Sequence, residues 1–150
     1  MPHYMEPQEL ALATAKDFAW VYLRLNRLIG RELSGSAASQ AQMKLLAFLQ
    51  DGGKRSTDIA GYFGHSPRTV TQAIDALEKC GFVTRSALPG DRRAKLIEIT
   101  DRGRAALLEV QPLYQAVLAN AFGSLDGEEL GDLERLLGRL LKRISELESA

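Results

Sequence analysis

Three features of the chain predict a mainly α protein with a small β-hairpin wing: a winged helix-turn-helix flanked by N- and C-terminal dimerisation helices. Two short helical patterns meet at a glycine within residues 56–80. Two β-prone runs follow, joined by a Pro-Gly turn. Long amphipathic patterns stand at both ends. The 150 residues suit one unit, 1–150, with 39–100 as the winged part and 8–33 and 101–148 as dimerisation helices. No apolar run approaches ~20 residues, so no membrane span is expected. The opening MPHYMEPQEL lacks a basic segment followed by an apolar core, so no secretory signal is expected. Cys80 is the one cysteine and has no internal disulfide partner, which fits a reducing, cytoplasmic setting.

Each element has its own signal. Residues 8–33 carry Leu10, Phe18, Val21, Leu25 and Leu28 at roughly helical spacing. SGSAAS (34–39) is a loop. Ser39 is placed to cap a second helix, with Gln42 completing a capping box. That helix sets Met43, Leu46 and Leu49 on one face and stops at Gly52-Gly53. Ser56 or Thr57 is expected to cap a third helix that runs through Phe63. Small Ala60 lets helices approach closely, and Gly64 makes the turn. Ser66 suits the N-cap of the fourth helix and Pro67 its first position. Val70, Ile74 and Leu77 form its buried stripe, and Gly81 its C-terminal cap.

Phe82–Leu88 and Lys95–Ile99 read as two strands, with PGDRRA as a basic tip between them. Thr100 is placed to cap a fifth helix from Asp101 to about Gly123. Pro112 should kink or interrupt it. After GSLDG, a sixth helix from Glu128 to about Glu148 carries Leu130, Leu133, Leu137, Leu140, Ile144 and Leu147 at alternating spacings of three and four. Leu136 and Leu141 lie beside that seam. Such a seam, like Leu10, Phe18, Val21 and Leu25 on the first helix, calls for partner helices.

The net charge of zero conceals an uneven distribution. Residues 54–104 hold ten basic and six acidic side chains, a net +4, and the rest of the chain balances this with −4. With Val70 and Ile74 inward, Arg68, Gln72 and Lys79 of the fourth helix project outward, flanked by Thr69 and Thr71. Such a helix front suits the DNA major groove, where Arg bonds guanine and Gln bonds adenine. The hydroxyls of Ser66 and the threonines, and the helix N-terminus, suit phosphate oxygens. Asp75 shares the outward face. It is expected to pair with Arg68 or Arg85, or to accept from a cytosine amino group. Arg85 completes the basic set beside the helix. At the hairpin tip, Asp91, Arg92 and Arg93 form a slender basic loop suited to the minor groove.

The stretch STDIAGYFGHSPRTVTQAIDALEKCGFVTRSALPGDRRAKLIEITDRGRAAL resembles the MarR family of bacterial transcription regulators. The resemblance is specific over about residues 54–107. It implies a homodimer built from the first and last helices and bound to a pseudo-palindromic operator. It also implies a repressor released by a small, often aromatic effector or by thiol oxidation. The family's wing arginine corresponds to Arg93, with Asp91 as its partner. Two departures stand out. The cysteine that peroxide-sensing members carry near the start of the first helix is absent, and Pro112 is foreign to the family pattern.

Trp20 and Tyr22, beside Phe18, are dimer packing or, alternatively, the wall of a pocket for a flat apolar effector. Cys80 reads as an inert, half-buried thiol. A thiol-based regulator is the alternative, and it needs an accessible thiolate. His3 and His65 are lone histidines without ligand-spaced neighbours, so neither metal nor cofactor is expected. No nucleophile, base and orienting group come together, and no enzyme is expected. A winged helix that contacts protein without specific DNA binding is the competing class.

Overall fold

The computed structural model describes residues 5–150, so His3 lies outside the described residues. The chain divides into two compact units, one through Gln115 and the other Ala116–Ala150. The elements in order are α1 (Pro7–Glu32), α2 (Gln40–Phe48), β1 (Lys54–Arg55), α3 (Ser56–Phe63) and α4 (Pro67–Lys79). They continue with β2 (Val83–Leu88), β3 (Asp91–Ile99), α5 (Asp101–Phe122) and α6 (Gly127–Glu148). The fold class is the expected one, helical with a small antiparallel sheet.

Local chemistry sets most boundaries in the first unit. Ser39 accepts the Gln42 N–H at 3.2 Å, and the Gln42 side chain accepts the Ser39 N–H at 3.0 Å, which closes the capping box of α2. Gly64 ends α3 at φ 65°, where a side chain would be strained, and its N–H donates to the Ala60 carbonyl. Ser66 Oγ accepts the Thr69 N–H at 3.2 Å and starts α4 with Pro67 in the first turn. Gly81 follows α4 at φ 75°.

The core of this unit draws one face from each element. Ile29, Leu46, Leu49, Ile59, Ile74 and Leu77 are at most 2% exposed. Burying each such side chain contributes about 1.5–3 kcal/mol. The α4 stripe of Val70, Ile74 and Leu77 is fully internal, which leaves the opposite face of α4 free for other work.

The sheet has the order β1-β3-β2. The two-residue β1, which pairs Lys54 with Ile97 and Arg55 with Leu96, was not expected, because two residues carry no periodicity. Its presence moves the α3 cap. The N-cap is Arg55 rather than Ser56 or Thr57, both of which lie within the helix. Asp58 supplies the bond instead, accepting the Arg55 N–H at 3.0 Å. Two hairpin bounds also shift. Phe82 precedes β2, and β3 begins at Asp91 rather than Lys95. The tight turn is therefore Pro89-Gly90, with Gly90 at φ 86°.

Thr100 Oγ1 accepts the Gly103 N–H at 3.0 Å and starts α5 as expected. Pro112 does not interrupt α5, which continues as one helix across it. A proline removes one helical hydrogen bond, that to the Leu108 carbonyl, and the turns on both sides outweigh the loss. In the second unit α6 opens on a reciprocal box. Asp126 accepts the Glu129 N–H and Glu129 accepts the Asp126 N–H, each at 2.9 Å.

Candidate nucleic-acid interface

α4 fixes the geometry because its inner stripe allows only one orientation. Ser66, Arg68, Thr69, Thr71, Gln72 and Lys79 are then all exposed. Among the described residues, the side chains of Arg68, Gln72 and Lys79 have no hydrogen-bond or ion-pair partner. Their donors and acceptors are available to a ligand.

The hydroxyls are more constrained. Thr71 Oγ1 donates to the Pro67 carbonyl at 2.9 Å, so its proton is committed within the helix. Toward an outside group it can act only as an acceptor, which does not suit phosphate. Ser66 Oγ and Thr69 Oγ1 lie 3.0 Å apart and one donates to the other. One hydroxyl proton of that pair remains for an outside acceptor.

Asp75 takes one of its three anticipated partners. Its carboxylate accepts from the guanidinium of Arg85 on β2. Arg85 also reaches Glu78 at 3.4 Å. The Arg85 side chain is 27% exposed, against 48% for Asp75 and 45% for Glu78. One arginine thus covers two carboxylates that would otherwise repel a polyanion, and it ties the helix to the wing. Glu78 in this role escaped the sequence reading. It stands seven residues before Arg85, and only the turn at Gly81 brings the two together.

The wing departs from a regular ladder at its tip. Ala87 pairs with Lys95, but Leu88 pairs with Asp91. Arg92, Arg93 and Ala94 are the surplus of that register shift and leave the ladder. Arg92 and Arg93 are both exposed. Asp91 Oδ1 accepts the Arg93 backbone N–H at 2.9 Å. The carboxylate therefore shapes the loop through the main chain, whereas the sequence suggested contact with an arginine head group.

The remaining expected residues are placed as follows. On α1, Leu10, Phe18, Trp20, Val21 and Tyr22 are exposed and Leu25 is half-buried. On α6, Leu130, Leu133 and Leu137 are half-buried and Leu140, Ile144 and Leu147 exposed. An open depression of about 300 Å³ lies at the end of α1, lined by Gly30, Leu33, Ser34 and Gly35 among others. Neither Trp20 nor Tyr22 lines it. Cys80 is half-buried at the end of α4. Among the described residues, no three His, Cys, Asp or Glu side chains cluster as a metal site, and no helix is long and apolar enough to cross a membrane.

The sequence reading also missed an aromatic group. Tyr62 stacks on Phe48 with centroids 4.2 Å apart, and Phe63 meets both edge-on. Lys54 lies 5.5 Å over the Phe48 ring. The adjacent aromatics at the end of α3 were its only signal.

Residues 39–95 match the family model described as the MarR family. The HTH-type transcriptional repressor YetL of Bacillus subtilis is 26% identical over 125 residues, covering 81% of this chain and 75% of YetL. Among solved structures, AbsC, a MarR family transcriptional regulator from Streptomyces coelicolor, superposes with a TM-score of 0.82 at 19% identity, covering 96% of this chain and 99% of AbsC. Sco3205, a MarR family regulator from the same organism solved in complex with DNA, gives 0.80 at 23% identity, covering 97% of this chain and 91% of Sco3205. At these identities the structural likenesses speak for the fold.

Proposed function

We propose, from the match of residues 39–95 to the MarR family model and the likeness to YetL, that the chain is a MarR-family transcriptional regulator, a cytoplasmic homodimer that represses from a pseudo-palindromic operator. The observation that carries this reading is the free outer face of α4. Among the described residues Arg68 and Gln72 stand exposed and unpartnered, and Arg92 and Arg93 of the wing bulge from the sheet. In the reading, Arg68 and Gln72 address base edges, and Arg92 and Arg93 grip the adjacent backbone and minor groove. Ser66 and Thr69 add a hydroxyl donor to phosphate at the N-terminus of α4. That the relative YetL is named a repressor, and that Sco3205 was solved with DNA, supports the reading.

The second copy is proposed to cover the apolar residues of α1 and α6. Each dimer then offers two α4 helices about 34–36 Å apart, one turn of the duplex. A flat, apolar effector that binds better to a dimer of the wrong separation shifts the population away from DNA. Trp20 and Tyr22 are the residues proposed to meet it.

Selection of bound fragments from a random DNA pool tests the reading. Two inverted half-sites about one turn apart are expected. Fragments with a single half-site, or no enrichment at moderate salt, would reject it.

A further inference from the structure

The recognition surface on α4 is attached to the rest of the chain at its C-terminal end, and the attachment is unusually specific. Thr100 Oγ1 donates to the Gly81 carbonyl at 2.6 Å. The Thr100 N–H donates to the Phe82 carbonyl at 2.9 Å. The same Thr100 oxygen accepts the Gly103 N–H. Gly103 is buried, and a methyl group there would overlap the Phe82 carbonyl oxygen and press on Ile99. One residue later, the Arg104 guanidinium donates to the Gln50 carbonyl beyond α2 at 3.2 Å. Thr100, the residue that caps α5, therefore binds two carbonyls that follow α4, and Arg104 in the first turn of α5 binds one that follows α2.

A cap that served α5 alone would need only the bond from Gly103 to Thr100. The hydroxyl bond to Gly81 runs the other way, from the cap of α5 to the residue that follows α4, and the backbone bond to Phe82 extends the β2–β3 pairing by one step beside it. The glycine at 103 permits a backbone approach that no other residue allows. We propose that this turn is a positioning joint, with Thr100 and Arg104 as positioning residues that set the angle of α4 against α5 and thereby the separation of half-sites the protein accepts. The proposal rests on the dimeric reading above, in which α5 belongs to the dimer arm. None of these groups needs to touch DNA.

The test uses the full chain and duplexes carrying two half-sites at centre-to-centre separations from about 9 to 12 base pairs, bracketing one turn. The parent should prefer one separation. Thr100→Val keeps the shape and removes the hydroxyl. It should fold, keep the parent's salt slope, and lose about fivefold or more of the discrimination between separations. Thr100→Ser should restore it. Arg104→Met, at an exposed position, provides a second arm if Thr100→Val does not fold, and it should flatten the profile in the same way. An unchanged separation profile in a folded Thr100→Val protein, or in Arg104→Met where the first fails to fold, overturns the joint while leaving the dimeric reading intact. A parent with no preference at all removes the dimeric reading and the joint with it.

Discussion

Arg85 and Arg93 sit on the same hairpin with the same charge, but their surroundings give them different tasks. Arg85 is held by Asp75 and Glu78. Arg93 is exposed on the bulge, and among the described residues only its backbone is held. Arg93→Ala is therefore expected to weaken binding to all operator sequences alike and to lower the salt slope by about one. Titrations of operator and scrambled duplex over a salt series measure both. Arg68→Ala and Gln72→Ala should instead relax preference at one base pair each, by about 1–3 kcal/mol. Arg85→Ala exposes two carboxylates. It should weaken binding with the slope unchanged, and adding Asp75→Asn and Glu78→Gln should recover part of the loss. A slope that falls by about one in Arg85→Ala would instead make Arg85 a phosphate contact. Its exposed carboxylate partners suggest a small stability effect, under about 1 kcal/mol.

At the scale of elements, what was legible in the sequence follows the range of the interactions. The caps at Ser39, Ser66 and Thr100 and the left-handed turn at Gly64 depend on residues within four positions, and each could be read directly. The stripe Val70, Ile74, Leu77 was equally plain, because its period is set by the helix itself. β1 was not, since Lys54 and Arg55 become a strand only through β3, some forty residues away. The tip of the wing failed for a related reason. Its bulge reflects a register between β2 and β3 that composition does not encode. The Asp75–Arg85–Glu78 group was legible as a charge problem but not as a unique pairing. Because α4 depends on a local cap and a buried stripe, the two should fail differently. Ser66→Ala is expected to cost about 1 kcal/mol with cooperative unfolding kept. Ile74→Ala, at a fully buried site, should cost about 2–5 kcal/mol. Urea titration followed by circular dichroism distinguishes them.

For the whole molecule, the decisive quantity is the apolar surface left exposed at the two ends of the chain. Leu140 is 57% exposed, Leu141 66%, Ile144 50% and Leu147 58%, and Val21 on α1 is 61%. An exposed apolar face of this kind on α6, like the exposed apolar residues of α1, marks an interaction surface. A second copy is the proposed occupant, because in the DNA-binding reading a lone α4 contacts too few base pairs to select one site. Leu140→Glu combined with Ile144→Glu places two charges at exposed positions of the α6 face. The double variant should sediment as a monomer where the parent sediments as a dimer. Its affinity for a two-half-site operator should fall by about 10²–10⁴, since the second contact ceases to be intramolecular. Affinity for a single half-site should stay the same, because α4 and the wing are unaltered. The parent's unfolding midpoint should rise with protein concentration, as linkage requires for a dimer, and the variant's should not. A variant that remains dimeric would move the contact away from the α6 seam. A variant that is monomeric but binds the full operator undiminished would separate dimer formation from DNA recognition.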